Sequence, residues 1–157
     1  MVLGEAVRAA RDLRDALAAE VDSARGERSL FRTLDARALL DRAQARAAFQ
    51  ARVARLEERL REALAEAARQ LGLTEVTIAS LAGREPAGAA ALSRTFGEVR
   101  ALSSALAELD RLNQHLAARA LRVVRGYVDA LSPTPSAYDR RGQRAAAASG
   151  AVHSSRV

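Results

Sequence analysis

Cysteine is missing from all 157 residues, which excludes a disulfide framework and a thiolate metal site and fits a reducing compartment. Lysine and tryptophan are missing too, and aromatic residues make up only 3%. Proline stands only at positions 86, 133 and 135, which leaves two long spans without a helix breaker. No apolar run approaches the roughly 20 residues that cross a bilayer, so membrane insertion is not expected. The opening MVLGEAVRAARDLRDAL alternates charge with apolar positions and has no signal-peptide core, and Glu5, Asp12 and Asp15 are out of place in a transit peptide. The expected location is the cytoplasm. His115 and His153 stand apart from any carboxylate at ligand spacing, and no Gly-rich loop follows a strand. No catalytic set, metal site or cofactor is therefore expected, and the chain does not read as an enzyme.

What is present is alanine, leucine, valine and charge. Hydrophobic residues reach 49% and charged residues 28%, a balance that favours long packed helices. Apolar residues at spacings of three and four predict a first helix over residues 3–25, with Leu3, Val7, Ala10, Leu13, Leu17, Val21 and Ala24 on one face. Gly26 and the polar residues after it predict a break near 26–34, with Leu30, Phe31 and Leu34 buried at the turn. Ser29 or Asp35 caps the next helix, and the sequence does not decide between them.

A second helix is predicted over about 35–71. From Phe49 through Val53, Leu56, Leu60, Leu64, Ala67 and Leu71 its stripe is close to a heptad repeat. Gly72 is placed to end it. Thr74 is read as the cap of a short helical turn that buries Ile78 and Leu81 and closes at Gly83. Pro86 then suits the first turn of a third helix, over about 87–132. Its interior Gly97 and Gly126 mark either close helix approach or local softness.

The second and third helices are long and joined by a short connector. The expected fold is all-α: an elongated antiparallel helical hairpin or coiled coil with a third, shorter N-terminal helix. The domain reading is residues 1–132 as the helical body and 133–157 as a flexible tail, too poor in bulky apolar residues to order itself.

The last part of the third helix bears Leu116, Leu121, Val124, Tyr127, Val128 and Leu131. A helical apolar stripe is ordinarily core. A first helix of about 23 residues, however, is too short to cover both long helices along their whole length. Some of these six side chains are expected to stay open as a groove for a partner helix. Asn113 is either a polar register-setting residue in a helix interface or an ordinary exposed one. Tyr138, in a polar tail, is either without a role or a short linear anchor that buries much area with few rotors.

The order of these features resembles the C-terminal end of the FlgN-type flagellar export chaperones. The matching residues are Leu112-Asn113-Gln114-His115, the Leu121/Val124/Leu131 stripe, then Pro133, Tyr138, Gly142 and Gln143. Leu116 departs from the family pattern, which usually has a second asparagine soon after the first. The resemblance implies a cytoplasmic chaperone of flagellar type III export. Its cargo would be the C-terminal helices of the hook–filament junction (hook-associated) proteins. Its second partner would be the cytoplasmic domain of the export gate, contacted through Tyr138. The choice between monomer and homodimer stays open.

Two other classes compete. The net charge of +6, half of it on the tail through Arg140, Arg141, Arg144 and Arg156 against Asp139, suggests a basic helical nucleic-acid-binding protein. Along the body, however, arginine and acid are interleaved, as in Arg55-Leu56-Glu57-Glu58-Arg59-Leu60-Arg61-Glu62, rather than sorted into a one-sided stripe. Nucleic acid is therefore not expected as a partner. The second alternative is a purely structural coiled-coil subunit.

Overall fold

The computed structural model describes residues 1–131. Helices α1 (Gly4–Thr33), α2 (Ala36–Leu71), α3 (Ile78–Ala82) and α4 (Pro86–Leu131) account for nearly all of them, and no strand occurs among the described residues. The all-α expectation holds. Packing divides the chain into two units, Met1–Ala120 and Leu121–Val157.

In the first unit, α1 is longer than its sequence suggests. It runs through Gly26 to Thr33, and the chain turns at Leu34, a non-glycine residue in the left-handed region (φ 53°). Gly26 costs the helix interior about 1 kcal/mol against alanine. The turn after it is held nonetheless, because the Glu27 carboxylate is bonded by Arg42 at 2.7 Å and by Asn113 at 2.7 Å. Of the three apolar residues expected to be buried at the turn, Leu30 and Phe31 are half-buried and Leu34 is exposed. Asp35, not Ser29, is the cap: its carboxylate accepts from the Ala38 amide at 3.0 Å, whereas Ser29 lies inside α1.

The end of α2 is where the sequence places it. Gly72 adopts φ 63°, and the amides of Gly72 and Leu73 reach back to the carbonyls of Arg69 and Ala68 at 3.2 and 2.9 Å. These two bonds satisfy carbonyls that would otherwise lack donors. α3 begins one residue after Thr77 rather than at Thr74. The Thr77 hydroxyl accepts from the Ser80 amide (3.0 Å) and the Ser80 hydroxyl from the Thr77 amide (2.9 Å), a reciprocal capping box. Leu81 is wholly buried and Ile78 partly so.

Ion pairs and hydrogen bonds fix the helix directions. Arg59 lies near Glu5 and Asp12 while Arg42 meets Glu20, so α1 and α2 are antiparallel. Glu85 meets the amides of Val2 and Leu3, Arg14 meets Glu98, and Asn113 meets Ala24, so α4 runs parallel to α1. The first of these contacts joins the starts of two helices. Leu3 offers α1 no side-chain cap, and the Glu85 carboxylate supplies one from outside, accepting from Val2 and Leu3 at 2.8 and 3.2 Å. A carboxylate is favoured there by the unpaired amides of the helix start.

Directly beneath, Gly88 is buried against Leu3. A Cβ on Gly88 would come within 2.8 Å of the Leu3 Cβ. Close approach thus requires glycine at 88, a position the sequence did not single out. Gly97 and Gly126 both face open space, so neither serves helix approach.

The core is organised around α1. It contributes Ala6, Val7, Leu13, Leu17, Val21 and Ala24 among other buried residues, facing Leu56, Leu60 and Ala67 of α2 and Leu92 and Leu106 of α4. Phe96, Val99, Leu102 and Leu109 are partly buried against the same cluster. Alanine on α1 lets neighbouring helices come close, and leucine on α2 and α4 fills the space.

Candidate partner-binding site

Two features of α4 stand out, one in each unit. In the first unit, a polar network ties α1, α2 and α4 together toward the end of α1. The Glu20 carboxylate accepts from Arg42 at 2.6 Å and from Arg46 at 2.8 Å; Arg46 also reaches Asp110 of α4. Arg42 bonds Glu27 as well, and the Asn113 side-chain amide donates to Glu27 and, at 2.9 Å, to the Ala24 carbonyl. Acids interleaved with arginine ordinarily sit on a solvated helix face, but Glu20 is buried, with only 5% of its surface exposed. The correction has a simple cause. Two guanidiniums surround the carboxylate, so its charge is compensated at close range. Burial alone would lower the pKa of Arg42, but hydrogen bonds and charge from Glu20 and Glu27 outweigh it and hold the pKa above its ordinary value.

Asn113 is buried at 5% exposure, so it belongs to the helix interface. Its NH2 group faces two acceptors, which fixes the amide orientation. The carbonyl oxygen is then left buried with no partner among the described residues. Beside it lies an open cleft lined by Glu27, Phe31, Arg46, Gln50, Asp110, Asn113, Gln114 and Ala117. Phe31 and the Arg46 stem supply its apolar surface, and Arg46 also sits 5.9 Å from the centre of the Phe49 ring.

The register of α1 on α4 sets how far that cover extends. Contacts at Leu3–Glu85, Arg14–Glu98 and Glu27–Asn113 advance together along both helices. At the shared rise, Thr33 falls level with roughly residue 119 of α4. Leu116 lies within this covered stretch and is half-buried. Leu112, which the sequence reading did not place at an open surface, is 39% exposed.

In the second unit, the described residues are the last part of α4, 121–131, and every one of them is exposed. Leu121, Val124, Tyr127, Val128 and Leu131 lie on one side of the helix, with exposures from 41% at Val124 to 81% at Leu131. Val123, absent from the sequence-based set, is 50% exposed. Large apolar side chains gathered on one helix face in water are more than the single scattered apolar residues of an ordinary surface. Tyr138 lies outside the described residues, as do Pro133, Pro135 and Gly142.

Among the described residues no three His, Cys, Asp or Glu side chains gather as metal ligands would, and no helix is long and apolar enough to cross a membrane. The arrangement is that of a helical protein with an exposed apolar helix face at 121–131. The family described as FlgN protein matches residues 5–146. The chain belongs to this family, the flagellar export chaperones. Comparisons with curated proteins and with solved structures returned no match.

Proposed function

We propose that this protein is the cytoplasmic chaperone of the hook–filament junction proteins in flagellar type III export. It binds their C-terminal helices and delivers them to the export gate. The observation that carries the reading is the contrast along α4. Its apolar stripe is buried at Leu92 and Leu106, then stands in water at Leu121, Val124, Tyr127, Val128 and Leu131. A cargo segment without structure of its own would lay its apolar face there and gain helix and burial together. Leu116 would form the inner end of the same binding stripe. Tyr138, within the span matched by the family, would then dock on the gate's cytoplasmic domain. Binding and release of this kind need no nucleotide or metal.

Co-purification with C-terminal fragments of the junction proteins tests it. Leu121→Asp with Val124→Asp is expected to abolish the complex while helicity by circular dichroism is retained, since both side chains already face solvent. Normal cargo binding by that variant would overturn the site. Tyr138→Ala is expected to keep cargo and lose the gate, which also separates a chaperone from a purely structural coiled-coil subunit.

A further inference from the structure

The exposed strip 121–131 has two unlike edges. At roughly 100° per residue, Leu121, Val124, Val128 and Leu131 form its centre. Tyr127, Val123 and Ala130 border it on one side, and Arg125, Asp129 and Arg122, in that order outward, on the other. No ion pair among the described residues holds any of these three charges. One edge is apolar, and the other carries both signs.

The centre of the strip reads the same in either direction. Leu121 and Leu131 stand five residues either side of Gly126, and Val124 and Val128 stand two either side. Two antiparallel copies centred there set Leu121 level with Leu131 of the second copy, and Val124 level with its Val128. A two-fold axis across such a pair brings each edge against its own copy. Tyr127 then falls between Val123 and Tyr127 of the second copy. On the charged edge, Asp129 falls level with position 123 of the second copy, between its Arg122 and Arg125. The edge so formed runs Arg, Asp, Arg, Arg, Asp, Arg. Each acid lies between two arginines, which draws the two Arg125 side chains apart. The register that layers the apolar residues is thus also the one that matches the charges. A parallel pairing would set the charged edge against the apolar one and leave its charges unmatched.

We propose that the occupant of this face is a second copy of the chain, antiparallel and centred on Gly126. A strip about 16 Å long falls short of the roughly 1,200 Å² of a stable interface, so the dimer is weak and depends on concentration. Cargo and second copy then compete for one strip, a consequence that rests on the cargo reading given above.

Sedimentation equilibrium of the full chain tests the pairing. The parent is expected to shift from monomer to dimer as concentration rises. Asp129→Arg makes the edge wholly basic, and Arg122→Glu with Arg125→Glu makes it wholly acidic. Each variant is expected to self-associate roughly three- to tenfold more weakly than the parent, the effect of losing a few exposed ion pairs. All three positions face solvent, so helicity by circular dichroism should be retained. An equimolar mixture of the two variants should restore the dimer, and added salt should weaken it again. A parent that stays monomeric up to millimolar concentration would overturn the pairing and leave cargo docking standing. Variants that associate as the parent does would overturn it too, as would a mixture without rescue, the result a parallel dimer gives. A dimer that no junction-protein fragment dissolves would keep the pairing and remove the cargo reading, so the two fall separately.

Discussion

Asn113 of α4 donates from its side-chain amide to the carboxylate of Glu27 on α1 at 2.7 Å, from a buried asparagine to a partly buried carboxylate. The bond joins a residue next to the helix-weakening Gly26 to the last buried position of α4. It accounts both for the length of α1 and for the register of α1 on α4. Removing it should be felt at a distance. Asn113→Leu leaves Glu27 and the Ala24 carbonyl each short of a donor, and the expected loss is about 1–3 kcal/mol in urea unfolding. Unchanged stability would mean that the amide contributes no net free energy.

The Glu20–Arg42 pair is nearly dry on both sides. Glu20→Ala leaves Arg42 with Glu27 and Arg46 with Asp110, and the loss of its charge-assisted hydrogen bonds should cost about 1–3 kcal/mol. Replacing both members, as Glu20→Leu with Arg42→Met, should cost clearly less than the sum of the single changes. A double-mutant cycle by chemical denaturation measures that difference, and strict additivity would contradict the geometry.

Two glycines of the same helix should respond in opposite senses. Gly88→Ala drives a methyl group against buried Leu3 and should destabilise by about 1–3 kcal/mol. Gly97→Ala meets open space on an exposed face and should stabilise by about 0.5–1 kcal/mol. Thermal melts of the two variants beside the parent read the contrast directly.

Near the end of α2, hydrogen bonds from Arg69, then from Gln70 at 2.8 Å, together with the charge of Arg69, hold the Glu66 carboxyl below its usual pKa. A folded pKa below the unfolded one means a stabilising contribution that is present at neutral pH. It is lost as pH falls through the folded value. An NMR titration of Glu66 should show the depressed midpoint, and Arg69→Ala should move it back up.

Much of the fold is legible in the residues themselves. The extent of α2, its glycine stop, the start of α4 at Pro86 and the heptad from Phe49 all follow from local chemistry. The strip is legible only in part: a short first helix leaves some of 116–131 uncovered, but α1 has 30 residues rather than about 23, and Leu116 is half-buried while Leu121 to Leu131 are exposed. The misreadings share a physical cause. Gly26 reads as a break because propensity is local, whereas the bonds that carry α1 past it come from Arg42 and Asn113, far along the chain. The burial of Glu20 is hidden for a similar reason: interleaved arginine and glutamate look the same whether they face water or each other. Gly88 has no neighbour in sequence that announces Leu3.

Leu3, Leu81 and Leu92, the largest side chains with no contact with solvent, all belong to the end of the bundle clamped by Glu85. Opposite Phe31 the packing is only half closed. Within the first unit, local opening is therefore expected to be hardest where the first and last helices begin together and easier toward the end of α1. Amide exchange should quicken along α1 from its first turn to its last. By that gradient, the end of α1 is where the first unit is expected to yield first, away from the clamp.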